Sequence, residues 1–171
     1  LSAQIQSSTS GDWNDPNTWD CTCVPGVADD VEILNSHTVG VTTAVSFDLL
    51  NSLVLAGTLN INTNANLGGT ISLDGVINVN AGANIMSGLN MTGTGTLNVN
   101  SVLNVTSDYI FQVSEINNNF SITGAGKKTY SSGVTVNLVN TLTGSGDHEF
   151  ALGSILNVNT GYIHTTTVRN Y

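Results

Sequence analysis

The sequence predicts an all-β fold of stacked coils, on three observations: a repeat of about 19 residues, apolar-polar alternation of period two inside each copy, and a composition that disfavours helices. Only 9% of the 171 residues are charged, against about 25% in ordinary globular domains. The deficit is filled by Gly, Ser, Thr and above all Asn, which form turns readily and helices poorly. No stretch keeps the i, i+3, i+4, i+7 apolar face of an amphipathic helix.

The repeat appears when residues 54–67 (VLAGTLNINTNANL) are set over residues 72–85 (SLDGVINVNAGANI). Leu55 then meets Leu73, Gly57 meets Gly75, Leu59 meets Ile77, Ile61 meets Val79, Asn62 meets Asn80 and Asn66 meets Asn84. Residues 95–105 (GTLNVNSVLNV) carry the next copy. Strand starts follow at residues 39, 59, 77, 97, 116, 134 and 156, spaced 18 to 22 apart. The motifs at residues 92–95 (TGTG), 123–126 (TGAG) and 143–146 (TGSG) mark the same register.

A unit this short, made of brief strands and Gly/Asn turns, cannot close a core alone. Stacked copies form a parallel β-helix, or β-solenoid, right-handed by the usual preference of parallel crossovers. Seven coils at about 4.8 Å give a rod roughly 35 Å long. Period two then points Leu59, Ile61, Ile77, Val79, Leu97, Val99, Val134, Val136, Leu156 and Val158 inward. It sets Asn60, Asn78, Asn98, Thr135 and Asn157 in one outward file, and Asn62, Asn80, Asn100, Asn137 and Asn159 in the next. Stacked Asn amides hydrogen-bond from coil to coil, so the first reading of both files is structural, and the second is a ligand or assembly face.

The start of the chain differs in kind. Residues 11–38 hold both Trp, both Pro, both Cys and half of the twelve acids. The open end of a solenoid exposes backbone and core, so a cap with large side chains is expected there, with Trp13, Trp19 and Pro25 as its members. The expected division is an extended N-terminal arm at 1–10, a cap at 11–38 and a solenoid at 39–171.

Gly11-Asp12-Trp13, Thr18-Trp19, Val24-Pro25 and Asp29-Asp30-Val31-Glu32-Ile33 resemble the G-x-W, T-W, V-P, D-x-V-x-I opening of secreted bacterial β-helix modules. Such openings are frequent in Bacteroidetes cell-surface proteins, including type IX secretion cargo, and are similar to the start of G8 domains. The resemblance covers about 25 residues. It implies export and surface display, without implying one activity. Leu1-Ser2-Ala3-Gln4 reads like the tail of a secretory signal and agrees with it. No C-terminal sorting domain is visible, so the expectation is a fragment of a longer protein or another secretion route.

At a net charge of −9, nucleic-acid binding and attachment to anionic membranes are not expected, and no apolar run approaches the roughly 18 residues of a spanning helix. The basic residues are Lys127, Lys128 and Arg169, and the acids of the rod are Asp48, Asp74, Asp108, Glu115, Asp147 and Glu149. Measured from their coil starts, no two adjacent coils place acids at the same phase, so the carboxylate pair of a glycosidase is not expected. His37, His148 and His164 read as solvated loop residues. Cys21-Thr22-Cys23 with His37 is too few ligands for structural zinc, which leaves a thiol pair in the cap, reduced or disulfide-bonded. Calcium is the ion that the oxygen ligands Asp12, Asn14 and Asp15 would suit.

The expected function is therefore a non-enzymatic extracellular structural or adhesive protein. Its partners are further copies of itself, by edge stacking or arm exchange, or a longer parent chain. The alternatives are a glycan-binding module or a polysaccharide-active domain, and third an ice-binding protein, which the Asn-dominated rather than Thr-dominated files disfavour.

Overall fold

The computed structural model describes residues 4–47, 50–140, 146–159 and 168–170. The chain winds as a parallel β-solenoid of about 6 turns, with almost no helix. Each coil lays down up to three short strands in turn, and each strand pairs in parallel with its counterpart one coil away.

The longest sheet has eight strands: Gly11–Asp12, Thr38–Val41, Thr58–Ile61, Val76–Val79, Thr96–Val99, Glu115–Asn118, Thr135–Leu138 and Ile155–Val158. Six of the seven strand starts expected from the repeat fall inside it, and Val134 falls one residue before its strand. A second sheet, which precedes this one in each coil, runs through Ile5–Gln6, Asp30–Ile33, Ser52–Leu55, Thr70–Leu73 and Asn90–Thr92. It is continued after a break by Tyr109–Phe111, Lys128–Tyr130, His148–Phe150 and Val168–Asn170, with a single bridge from Thr92 to Gln112 across the break. The third sheet contains Val45–Ser46, Ala65–Leu67, Ala83–Ile85, Val102–Val105 and Ser121–Thr123.

The alternation that predicted strands is the burial pattern itself: Thr58–Ile61, Val76–Val79 and Thr96–Val99 each bury their second and fourth residues. Leu59, Ile77, Leu97, Ile116 and Val136 stack as one inward ladder, and all are fully buried. Leu156 and Val158 are the exceptions among the expected core residues. Leu156 is only partly buried and Val158 is 47% exposed, because the final described strand of this sheet has a neighbour on one side only.

The sixth coil corrects the expected register by two residues. Asn137 pairs with Asn117 and Asn157, so it belongs to the Asn60 file, and Thr135 lies in register with Glu115 and Ile155. Val134 is buried but sits in the turn that follows Gly133, whose φ is 83°. A slip of two keeps every side chain on its face, so alternation alone could not fix this register.

Close coil-to-coil approach explains the glycines of the repeat. A Cβ on Gly75 would lie 1.9 Å from the carbonyl oxygen of Gly57, and one on Gly95 would lie 2.3 Å from that of Gly75. The coils stack backbone on backbone at this corner, where no side chain fits.

At the N-terminal end Trp13 and Trp19 are 1% exposed and meet edge to face with centroids 5.0 Å apart, and Trp13 meets Phe47 at the same distance. Trp19 Nε1 donates to the Trp13 carbonyl at 2.9 Å, and Pro25 is buried beside them. The strands begin upstream of residue 39. The described part of the arm docks on its own rod, with Ile5 and Gln6 opposite Val31 and Glu32 and Ser7 bridged to Trp19.

The interior is not uniformly apolar. Asn118, Lys128 and His148 are fully buried, and Phe111, Tyr130 and Phe150 stack as an aromatic ladder with centroids 5.2 and 4.6 Å apart. His148 is therefore a core residue rather than a solvated one, with Nδ1 3.0 Å from the Tyr130 hydroxyl. His164, Asp48 and residues 143–145 of the third Thr-Gly motif lie outside the described residues.

Candidate functional site

The structure turns the Asn files into hydrogen-bonded ladders. In the first, Nδ2 of Asn78 donates to Oδ1 of Asn60 at 2.7 Å, and Asn98 donates to Asn78, Asn117 to Asn98, Asn137 to Asn117 and Asn157 to Asn137 at 2.7–2.8 Å. In the second, Asn80 donates to Asn62, Asn100 to Asn80 and Asn119 to Asn100 at 2.8–2.9 Å. Val139 follows Leu138 where an Asn of this file would stand, and Asn159, at the far end, donates its backbone N–H to the Leu138 carbonyl. Every amide points the same way, donating toward the N-terminal end, so each ladder carries aligned dipoles.

A third ladder lies on the third sheet, where Asn84 donates to Asn66 and Asn104 to Asn84, each at 3.1 Å. The Asn66–Asn84 match in the repeat was its signal. Asn62 and Asn66, Asn80 and Asn84, and Asn100 and Asn104 share one spacing in three consecutive coils. Residues 75–107, which supply the middle of all three ladders, include no Asp, Glu, Lys, Arg or His.

Several carboxylates act as clamps between coils. Asp74 accepts from the Thr94 N–H and hydroxyl, Asp108 from the Lys127 N–H, Asp30 from Asn51 and Ser52, and Glu115 from Asn137 and Thr96. These bonds hold the carboxyls of Asp74 and Asp30 below the usual aspartate range. In backbone register Glu115 pairs with Thr96 and Thr135, and Glu149 with Thr129, so no strand acid stands opposite another among these pairs. Glu149 also forms a 3.4 Å ion pair with Lys127.

Asp12 and Asp15, two of the three calcium candidates, are already engaged, Asp12 both across coils and in a turn and Asp15 in a turn. Asp12 accepts from the Asn14 N–H and the Thr42 hydroxyl, which lowers its pKa, and Asp15 accepts from both nitrogens of Asn17 at the head of the short 3-10 turn Pro16–Thr18. Asn14 itself donates to the Thr43 hydroxyl. Among the described residues no three His, Cys, Asp or Glu are grouped to hold a metal ion. Cys21 and Cys23 form a disulfide at the surface of the cap, with Thr22 between them in the left-handed region at φ 52°.

Ser7 and His37 are a pair that the sequence did not suggest, with Oγ 2.8 Å from Nδ1. Ser7 is 1% exposed and its oxygen also accepts the Leu34 N–H, so the pair ties the first coil to the second and offers no accessible nucleophile.

Set against protein-family models, curated proteins and solved structures, the chain matches none of them.

Proposed function

We propose that this chain is a non-enzymatic extracellular rod, a structural or adhesive element of a bacterial surface that associates with further copies of itself. The observation that carries this reading is the exterior: amide ladders and carboxylate clamps tie coil to coil, so polar side chains that an enzyme would aim at a substrate are spent on axial rigidity. The G8-like opening supports export, and the Cys21–Cys23 disulfide suits an oxidising compartment. Association is supported by Leu152, Ile155 and Val158, which are 85%, 53% and 47% exposed near the C-terminal end of the described stack.

Negative-stain microscopy with light scattering on the purified chain tests this. Head-to-tail filaments or oligomers are expected, dispersed by the double substitution Leu152→Glu, Ile155→Glu without loss of the strand circular-dichroism signal. A strict monomer at every concentration, indifferent to that substitution, removes self-association from the reading.

A further inference from the structure

Two cavities at the N-terminal end of the third sheet share Ala44 and Val45 and form one groove. The part over the coils, about 310 Å³, is bounded by Asn64, Ala65, Asn66 and Asn84. The part under the cap, about 190 Å³, is bounded by Trp13, Pro25, Val27 and Leu50. Together they reach the size of ordinary small-ligand sites.

The groove exists because the sheet ends there. Val45–Ser46 is its outermost strand and only two residues long, and the cap loop at residues 25–27 borders the space above it. Ala44 and Ala65 leave the floor unfilled. Asn64 stands exposed at the wall, and a Cβ on Gly82 would come within 2.8 Å of its Oδ1, so glycine there makes room for the amide.

The two halves differ in chemistry. The cap half is mostly apolar, with Val27 70% exposed beside the buried Pro25, and Asn14 adds an amide to its lining. The coil half is amide-lined. A primary amide has two N–H groups and two acceptor lone pairs, and ladder formation uses one of each on Asn84, leaving one donor and one acceptor for a ligand. Among the described residues no charged side chain lines either half. Ionic ligands therefore find no counter-charge, whereas a sugar chain matches both halves, with C–H faces against the apolar end and hydroxyls against the amides.

We propose that this groove binds a neutral glycan chain, held by Asn64, Asn66 and Asn84 over the floor of Ala44 and Val45. The proposal rests on the adhesive half of the functional reading and is independent of self-association.

Affinity electrophoresis through gels containing soluble β-glucan, xylan or mannan, with alginate and pectate as anionic controls, tests it beside a printed array of neutral oligosaccharides. Ala44→Glu places bulk and charge where the two halves join, and Asn64→Ala removes a wall amide that belongs to no ladder; both positions are exposed, so both variants fold. Retention by a neutral glycan is expected, weakened about ten-fold or more by Ala44→Glu and several-fold by Asn64→Ala, with thermal midpoints unchanged. The proposal is overturned by retention on the anionic polymers alone, by no neutral glycan being bound, or by equal retention of both variants. Microscopy of the same preparations keeps the readings apart: filaments without glycan retention remove the groove and leave self-association, and retention without filaments removes self-association and leaves the groove.

Discussion

A single amide shows how this protein is held together. Asn98 donates to Asn78 and accepts from Asn117 while half-buried on the longest sheet, so Asn98→Ala breaks two bonds and strands two partners. The expected cost is about 2 kcal/mol by urea denaturation, against less than about 1 kcal/mol for Asn157→Ala, which breaks one bond at an exposed position. Equal costs would show that the ladder is ornament rather than support. Lys128 behaves oppositely. It is fully buried in register with Tyr109 and His148, its Nζ donates to the Gly124 carbonyl, and burial pushes its ammonium below the usual lysine range. Between that lowered value and 10.5 the unfolded chain binds more protons than the folded one, so stability rises with pH in this window. Above about pH 10 Tyr109, pushed up by burial, opposes the gain. Lys128→Met is expected to raise the urea midpoint at pH 7 and to flatten its rise toward pH 9.5; a variant that keeps the alkaline rise assigns it to another group. Alternation placed every ladder Asn on the outside, but which residues share a ladder at the sixth coil depended on the turn after Tyr130, where Gly133 shifts the frame by two.

At the scale of the element, each strand is too short to stand alone and is defined by its neighbours one coil away. Gly75 sits where backbone meets backbone, so Gly75→Ala must push two coils apart, at a cost of roughly 3 kcal/mol in a melting or urea experiment. Gly88 has nothing within 4 Å of an added Cβ; its cost under the same substitution comes from its φ of 88° alone and is expected to be smaller, about 1 kcal/mol. The carboxylate clamps join elements in the same axial direction. For Asp12, Asp30 and Asp74 the folded pKa lies below 3.8, so their contribution is complete above that value and is lost as pH falls through the folded one. Thermal midpoints are therefore expected to hold from pH 7 to about 5 and to drop below about 4, with a smaller acid drop in Asp74→Asn. The Leu-x-Gly and Thr-Gly-x-Gly signals of the repeat were legible for a physical reason: close backbone approach admits no other residue. The break in the second sheet between Asn90–Thr92 and Tyr109–Phe111 was not, because Met91 and Phe111 are both apolar and both buried, and the pattern reads straight through it.

Across the described coils, the parallel stack makes a rod whose first and last described turns differ chemically. One is closed by Trp13, Trp19 and Phe47; near the other, Leu152 and Ile155 stand in solvent, which is the basis of the expected head-to-tail association. The fold class, the sheet that carries the repeat and the inward and outward faces can be read from residue order, because each follows from period two and from a repeat that must stack to bury its apolar residues, and the charge-free middle of the rod is read directly from composition. The ladder membership of Asn117, Asn119 and Asn137, the burial of Lys128 and His148, the docking of Ile5 and Gln6 on their own rod, and the groove at Ala44 and Val45 emerge only when the coils are stacked. The reason is the same in each case. These features depend on how many residues a turn consumes and on what lies one coil away, and neither quantity is written in the local alternation of a single strand.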